Sequence, residues 1–494
     1  MRLHDLVAPI LIKQLIGSDE VHIDSVTADS RNVRPGSLFV ALRGYTVDGH
    51  DFVRGAVEAG ASAVLVEEAF EGLAAPQIIV RDTRAVIAVL ASVFYRHPSK
   101  SMKVIGVTGT NGKTTTTHLI EAILSDAGHK TGLIGTIKTR IGDREFENAN
   151  TTPEALELQA TFREMLDIGT EYPVMEVSSH AVELNRVAGV DFHTAVYTNL
   201  SQDHLDYHNT MEEYRLAKAK FFSRLGNTYE DAADRNKAAI INADDEHAEY
   251  FLKATTAQTL TYGIDKEADL RAVNVKIEAD GVSYRVLSYA GEETFRLQMT
   301  GKFSVYNALA ATAAALVQGI SLADIKKSLE RVSGVNGRFE SVQAGQDFAV
   351  IVDYSHTPDS LENALKTIRE FAKGRVTCIV GCGGDRDRTK RPLMAQIAEQ
   401  YADLTVITSD NPRTEDPDAI LDDMEAGLAD VVKSRYVRIT DRREAIRYAV
   451  ERAKADDVIL IAGKGHETYQ IIGRTKHHFD DREVAAQAIR GELA

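Results

Sequence analysis

Apolar and polar positions alternate along this chain in blocks. Over residues 1–99, short apolar runs such as GSLFVAL, ASAVLVEE and PQIIVRD alternate with helical ones such as DFVRGAVEAG, which predicts a small α/β domain. HPSKSMK reads as a linker. From Lys103 a second series begins: KVIGVTG, YPVMEVSSH, TAVYTNLSQDH and KAAIINADD each pass from Val/Ile-rich residues into a polar tip. Helix-length segments between them predict βαβ units and a parallel sheet. After SGVNGRFE, around Gly337, the pattern restarts with FAVIVDYSHTP, RVTCIVGCGGDRDR, DLTVITSDNPR and DDVILIAGKGHE. The expected fold is α/β in three domains, at residues 1–99, 100–333 and 334–494: a small first domain, a central sheet carrying a phosphate loop, and a Rossmann-like third domain. Ligands of such sheets sit beyond the carboxyl ends of the strands, where the polar tips fall.

Composition narrows the function classes. The 494 residues carry a formal net charge of −16, which argues against a nucleic-acid partner, because phosphate neutralisation needs an excess of Lys and Arg. The two cysteines, Cys378 and Cys382, share one short stretch, so no disulfide framework is expected and a reducing compartment is. No apolar run reaches the roughly 18 residues of a membrane span. The opening MRLHDLVAPILIKQLIG reads as an amphipathic helix without an export signal, so the expected location is the cytoplasm.

The chemistry centres on VIGVTGTNGKTT. Gly109, Thr110, Asn111, Gly112, Lys113, Thr114 and Thr115 have the strand, glycine turn and Gly-Lys-Thr of a phosphate-binding loop. Converging backbone N–H groups and a helix N-terminus hold an anion, the lysine reaches the outer phosphates, and the following hydroxyl serves Mg²⁺. The standard pattern has a glycine where Val107 stands. Mg²⁺ needs more ligands than one threonine and takes mostly oxygens; the Glu176 carboxylate, at another strand tip, could reach it, and His204 lies at a further tip. MEEYRLAKAKFF reads as a helix, and nothing in its residues selects Lys218 over Lys220. In DNPR, Asn-Pro reads as a turn start, with Arg413 either solvated or a carboxylate-recognising fork.

GTNGKTTT, EVSSH, TNLSQDHLDYH, YRLAK, NALAA, GRFE, DYSHTPDSL and DNPRTEDP together resemble, in order and spacing, the Mur ligase family of ATP-dependent amide-bond-forming enzymes. The departure at Val107 is normal there. Within the family the chain is similar to the members that add the third residue of the peptidoglycan stem peptide. The resemblance implies ATP and Mg²⁺, with UDP-N-acetylmuramoyl-L-alanyl-D-glutamate and meso-diaminopimelate as substrates. It implies a uridine-diphosphate contact at Ser30 in a UDP-sugar-binding first domain, and muramoyl-dipeptide contacts at Asn150, Thr151, Thr152, Ser178 and Arg186. It implies ATP contacts at Asn307 and Arg338, and a carbamylated Lys218 that joins His204 on a second Mg²⁺ beside the one on Thr114 and Glu176. The last domain would choose the amino acid through Arg386, Asp410, Asn411, Pro412, Arg413, Gly463 and Glu467. Arg413 favours diaminopimelate, whose distal end has a carboxylate that lysine lacks. His356 would help to organise the interdomain ATP site. Ser304 stands where the family usually has Asn. The rival readings are an L-lysine-adding homologue, a folylpolyglutamate-type synthetase, and an ATP-gated binding protein that makes no bond.

Overall fold

In the computed structural model the described residues are 1–44, 47–148, 150–226, 229, 231, 236–278, 281–428 and 435–493. At its centre, the parallel strands Thr131–Ile134, Tyr172–Glu176, Val104–Thr108, Phe192–Tyr197, Ala238–Asn242 and Gln258–Gly263 lie side by side in that order. Both faces are buried, which is why the strands read as continuous apolar runs. Ile105 and Val107 point into a core shared with helices Lys113–Asp126 and Lys302–Leu316. Val104, Met175 and Val177 point the other way, into a core shared with Ala155–Asp167 and Met211–Ser223. Val107 is therefore part of the strand, paired between Val196 and Glu176, and not part of the loop. A β-branched core residue fits there.

Among the described residues this sheet grows to eleven strands. Leu270–Glu278, Gly281–Ser288 and Gly291–Leu297 extend one edge, and Thr139–Ile141 and Arg144–Phe146 the other. The first domain is a five-stranded sheet, whose core takes in Ala155 from the central domain. The last domain is built on six strands, in the order Glu340–Ser341, Ala349–Asp353, Val458–Ala462, Val376–Cys382, Leu404–Ser409 and Tyr436–Arg438. All but the first of these run parallel. A hairpin, Tyr469–Ile472 with Thr475–His478, stands beside it. Cys378 and Cys382 are buried free thiols in Val376–Cys382. No helix among the described residues is long and apolar enough to cross a membrane.

Two local expectations change. The N-terminal amphipathic helix is only Leu3–Val7, and Gln14–Ile16 is an edge strand. Pro9 cannot continue the helix, so Leu11 and Ile12 are left 98% and 62% exposed. The HPSKSMK segment is not a loose linker: Pro98–Ser101 is a 3₁₀ turn with Pro98 and Ser99 buried, and the Ser99 hydroxyl accepts from the Asp191 amide at 3.0 Å.

Candidate active site

The first central strand, Val104–Thr108, lies between later ones, so a crevice opens at its carboxyl end. That crevice is continuous with a cleft of about 970 Å³ walled on its far side by the last domain. The loop after Val104–Thr108 wraps the crevice floor. Gly109 and Gly112 take φ +152° and +85°, and a Cβ would collide with the Thr198 hydroxyl at the first and with the Asn307 amide oxygen at the second. Only glycine allows this close approach. Gly112 caps helix Lys113–Asp126. The Lys113 ammonium donates to the carbonyls of Gly109 and Thr110 at 2.9 and 2.8 Å. Burial, with Arg338 adding to it, lowers its pKa.

The rest of the loop is fixed from outside. The Thr110 amide donates to the Asn199 carbonyl at 2.8 Å, and its hydroxyl lies 3.1 Å from the Tyr214 hydroxyl. The Asn111 amide donates to Asn199 Oδ1 at 2.9 Å, while its side chain donates across the domain boundary to Asp359 Oδ2 at 3.0 Å. Ser201 Oγ donates to the same oxygen at 2.7 Å. Thr115, Asn307, Arg338 and His356 also line the cleft. The Arg338 guanidinium lies over the Tyr354 ring at 4.8 Å, and the Ser304 hydroxyl turns inward to donate to the Thr300 carbonyl at 2.7 Å.

Glu176 is fully buried at the tip of Tyr172–Glu176. Its Oε2 accepts from the hydroxyls of Thr114 and Thr136, each at 3.0 Å, and its Oε1 from the Thr136 amide at 2.7 Å. A hydroxyl and a carboxylate held together are the hard oxygen donors that Mg²⁺ takes. Lys218, also buried, donates to the Gly109 carbonyl at 2.8 Å with its ammonium 4.6 Å from the Tyr214 ring centre. Burial first, and Lys113 second, hold its pKa well below the usual lysine range. Lys220 instead points out to pair with Glu183 at 2.7 Å. Burial pulls the His204 imidazole down to about 4, leaving it neutral at physiological pH, with Nε2 3.3 Å from Asp203. The Thr114 and Glu176 side thus offers donors that fit a divalent cation, whereas the Lys218 and His204 side offers a neutral imidazole and, as the free lysine, no anionic oxygen.

Along the same cleft lie Asn150, Thr151, Ser178 and Arg186. Thr152 sits buried behind them: its hydroxyl donates to the Glu176 carbonyl at 2.9 Å and its own carbonyl accepts from Arg186 Nη1 at 3.0 Å. Arg186 also pairs with Glu154 at 2.7 Å. Ser30 is apart from this group, opening the 3₁₀ turn Ser30–Asn32 of the first domain.

The amino-acid candidates form a second cluster at the strand tips of the last domain, outside the lining of the large cleft. Asp410, Asn411, Pro412 and Arg413 follow Leu404–Ser409, and Arg413 adopts φ +53°. Its Nη1 donates to the Gly384 carbonyl at 2.8 Å, and Arg386 Nη1 to the Asp385 carbonyl at 3.1 Å. Neither guanidinium has a carboxylate partner among the described residues, and both flank Gly383. Gly463 is at φ +117°, where a Cβ would lie 2.7 Å from Asp410 Oδ2. The Glu467 carboxyl accepts from the Asn411 amide at 2.8 Å, and burial raises its pKa.

Several residues of these sites are not among those the sequence singles out: Asn199 and Ser201, Thr136 just beyond strand Thr131–Ile134, Asp359 at the start of helix Pro358–Phe371, and Lys464. All but Thr136 lie inside the quoted motifs, so their place just after strands, or for Asp359 in the first turn of the following helix, was the available signal.

Residues 107–315 match the Mur ligase middle domain, residues 337–465 the Mur ligase, glutamate ligase domain, and residues 22–95 the Mur ligase family, catalytic domain. The UDP-N-acetylmuramoyl-L-alanyl-D-glutamate–2,6-diaminopimelate ligase of Bacillus cereus is 52% identical over 493 residues, covering 100% of this chain and 99% of the relative. The protein of the same name from Geobacillus thermodenitrificans is 54% identical over 468 residues, 95% of each chain. A solved structure of a UDP-N-acetylmuramoyl-L-alanyl-D-glutamate–2,6-diaminopimelate ligase superposes with a TM-score of 0.71 at 34% identity, covering 100% of this chain and 99% of that one.

Proposed function

This chain belongs to the Mur ligase family, and from that premise we propose that it joins meso-2,6-diaminopimelate to the D-glutamate of UDP-N-acetylmuramoyl-L-alanyl-D-glutamate, using ATP and Mg²⁺, in cytoplasmic assembly of a peptidoglycan precursor. Relatives of that name, matched over nearly the whole of both chains, support the substrate pair. The observation that carries the reading is the pairing of a phosphate-loop cleft with a separate cluster, at the strand tips that also hold the Glu467 carboxyl, in which two guanidiniums have no carboxylate partner among the described residues. That cluster matches the distal end of diaminopimelate, which presents a carboxylate and an ammonium together.

A carboxylate is a poor electrophile and must be activated before an amine can attack it. In the proposed reaction an oxygen of the D-glutamate γ-carboxylate attacks the γ-phosphorus of ATP, and ADP leaves. The diaminopimelate amine attacks the acyl carbon, loses a proton, and phosphate departs. Catalysis of the first step is mainly positioning and charge neutralisation. Lys113 reaches the outer phosphates, while Asn199, by accepting from the Thr110 and Asn111 amides, holds the loop in shape so that its remaining amides face them. Thr114 and Glu176 would hold one Mg²⁺, and His204 with carbamylated Lys218 a second. When bound, these ions offset the repulsion between triphosphate and carboxylate. Lys218 suits carbamylation because its neutral amine attacks CO₂ and the resulting N–H proton is released. Thr151, Ser178 and Arg186 orient the muramoyl-dipeptide along the cleft, and closure of the last domain brings the amine in and excludes water.

The test is stoichiometric. ADP and phosphate should form only when the nucleotide dipeptide and the amino acid are both present, in a one-to-one ratio with amide product. Turnover of ATP without amide formation would reject ligation.

A further inference from the structure

Lys464 is a charged side chain with no solvent exposure, yet nothing in the mechanism above uses it. It follows Val458–Ala462, between Gly463 and Gly465, both at positive φ. Its ammonium lies 3.1 Å from Asn411 Oδ1, 3.3 Å from Glu467 Oε2 and 5.7 Å from the Tyr469 ring centre. The Asn411 amide closes the triangle. Its Oδ1 accepts from Lys464 and from the Ile471 amide at 2.8 Å, and its Nδ2 donates to Glu467 Oε2 at 2.8 Å.

This arrangement is one-sided. Both donors reach Oε2 of Glu467, while Oε1 has no hydrogen-bond partner among the described residues. A buried ammonium is costly unless paired, and a surface lysine would have served a purely structural turn. Resting on the diaminopimelate reading, we propose that Lys464 is a positioning residue: with Asn411 it pins one oxygen of Glu467 and orients the amide, so that the other oxygen is aimed at the ammonium of the incoming amino acid. Its positive charge also adds to Arg386 and Arg413, so a substrate bringing a distal ammonium without a carboxylate meets a site with an excess of cations.

The groups facing Glu467 are Lys464 and Asn411, Asp410, the hydroxyls of Tyr354 and Tyr469, and the Arg442 guanidinium. Of these, Lys464 is the nearest cation. Removing it leaves a half-buried carboxyl that takes up a proton more easily, which is the form that cannot hold an ammonium.

The test compares wild type, Lys464→Met and Lys464→Arg in full-length protein, measuring ADP release with the nucleotide dipeptide and meso-diaminopimelate from pH 6 to 9. The expected result for Lys464→Met is a KM for diaminopimelate raised roughly 10- to 100-fold, as for a lost charge-assisted hydrogen bond, with KM for ATP within about twofold. The rise in KM on acidification should also begin at higher pH than in wild type. Lys464→Arg should recover most of the diaminopimelate KM. Equal changes in both KM values, an unmoved pH profile, or no rescue by arginine in a protein that melts like wild type would overturn the role. A Lys464→Met protein that fails to fold leaves Lys464→Arg as the arbiter: a wild-type pH profile and KM for diaminopimelate support the role, and a wild-type melt with a raised KM for ATP overturns it. If wild type itself does not use diaminopimelate, the substrate reading fails instead.

Discussion

Replacing Glu176 with Gln separates what this carboxylate does for the fold from what it does for the reaction. Its oxygens accept three hydrogen bonds, from the Thr136 amide and from the hydroxyls of Thr114 and Thr136. Glutamine keeps one oxygen for the amide, and the two hydroxyls can rotate to accept from its NH₂. Turning these three charge-assisted bonds into neutral ones costs about 1 kcal/mol each. Part of that is offset because an uncharged amide is cheaper to bury. The net loss of stability should be about 1–2 kcal/mol, within reach of a urea melt. The loss in catalysis should be larger: without the anionic oxygen beside Thr114, divalent binding weakens, and ADP release at limiting Mg²⁺ should fall by about 10²–10³-fold, or roughly 3–4 kcal/mol of transition-state stabilisation. Raising Mg²⁺ should recover part of it. Glu176→Gln protein with near-normal ADP release at limiting Mg²⁺ would refute the ligand role, and an intact activity with a large drop in stability would assign Glu176 to the core alone.

Two further outcomes follow from the same geometry. Lys218→Ala should lose ligation and regain part of it with added short carboxylates, read as ADP release; a folded variant that no carboxylate rescues would argue against an anionic oxygen ligand at this position. His466 is half-buried, and the loss of hydration there, with Arg338 nearby, pulls its pKa down to about 3. The unfolded chain takes up this proton below about pH 6.5 and the native one does not, so stability is lost as pH falls from about 6.5 towards 3, by about 1.4 kcal/mol per pH unit. His466→Asn should flatten that slope in urea melts at pH 7, 6 and 5, and an unchanged slope would contradict it.

The parallel strands were legible because a strand buried on both faces must be continuously apolar, and Val104–Thr108 and Val458–Ala462 are. Edge and antiparallel strands were less so. Leu270–Glu278 alternates buried with half-buried residues at its start and exposed with half-buried ones beyond, a period-two pattern that a search for solid Val/Ile runs passes over. The N-terminal apolar run misled in the opposite direction, since Leu11 and Ile12 face solvent. At the site, glycine positions and Lys113 carry their chemistry in local spacing. Lys218 and Lys220 differ only in which side of one helix they occupy, and the fold, by burying one and pairing the other with Glu183, separates them. Lys464 was hidden for a related reason. A lysine between glycines reads as a solvated turn, and its burial depends on Asn411 and Glu467 arriving from other segments.

The most direct test of the account offers the wild-type protein the nucleotide dipeptide and ATP with meso-diaminopimelate, its amidated form or L-lysine in parallel, reading amide product by mass and kcat/KM by ADP release. With Arg386, Arg413 and Glu467 built to hold a distal carboxylate and ammonium together, kcat/KM for meso-diaminopimelate should exceed that for L-lysine by at least about 10³-fold. L-lysine used within about tenfold of meso-diaminopimelate, or in preference to it, would contradict the assignment.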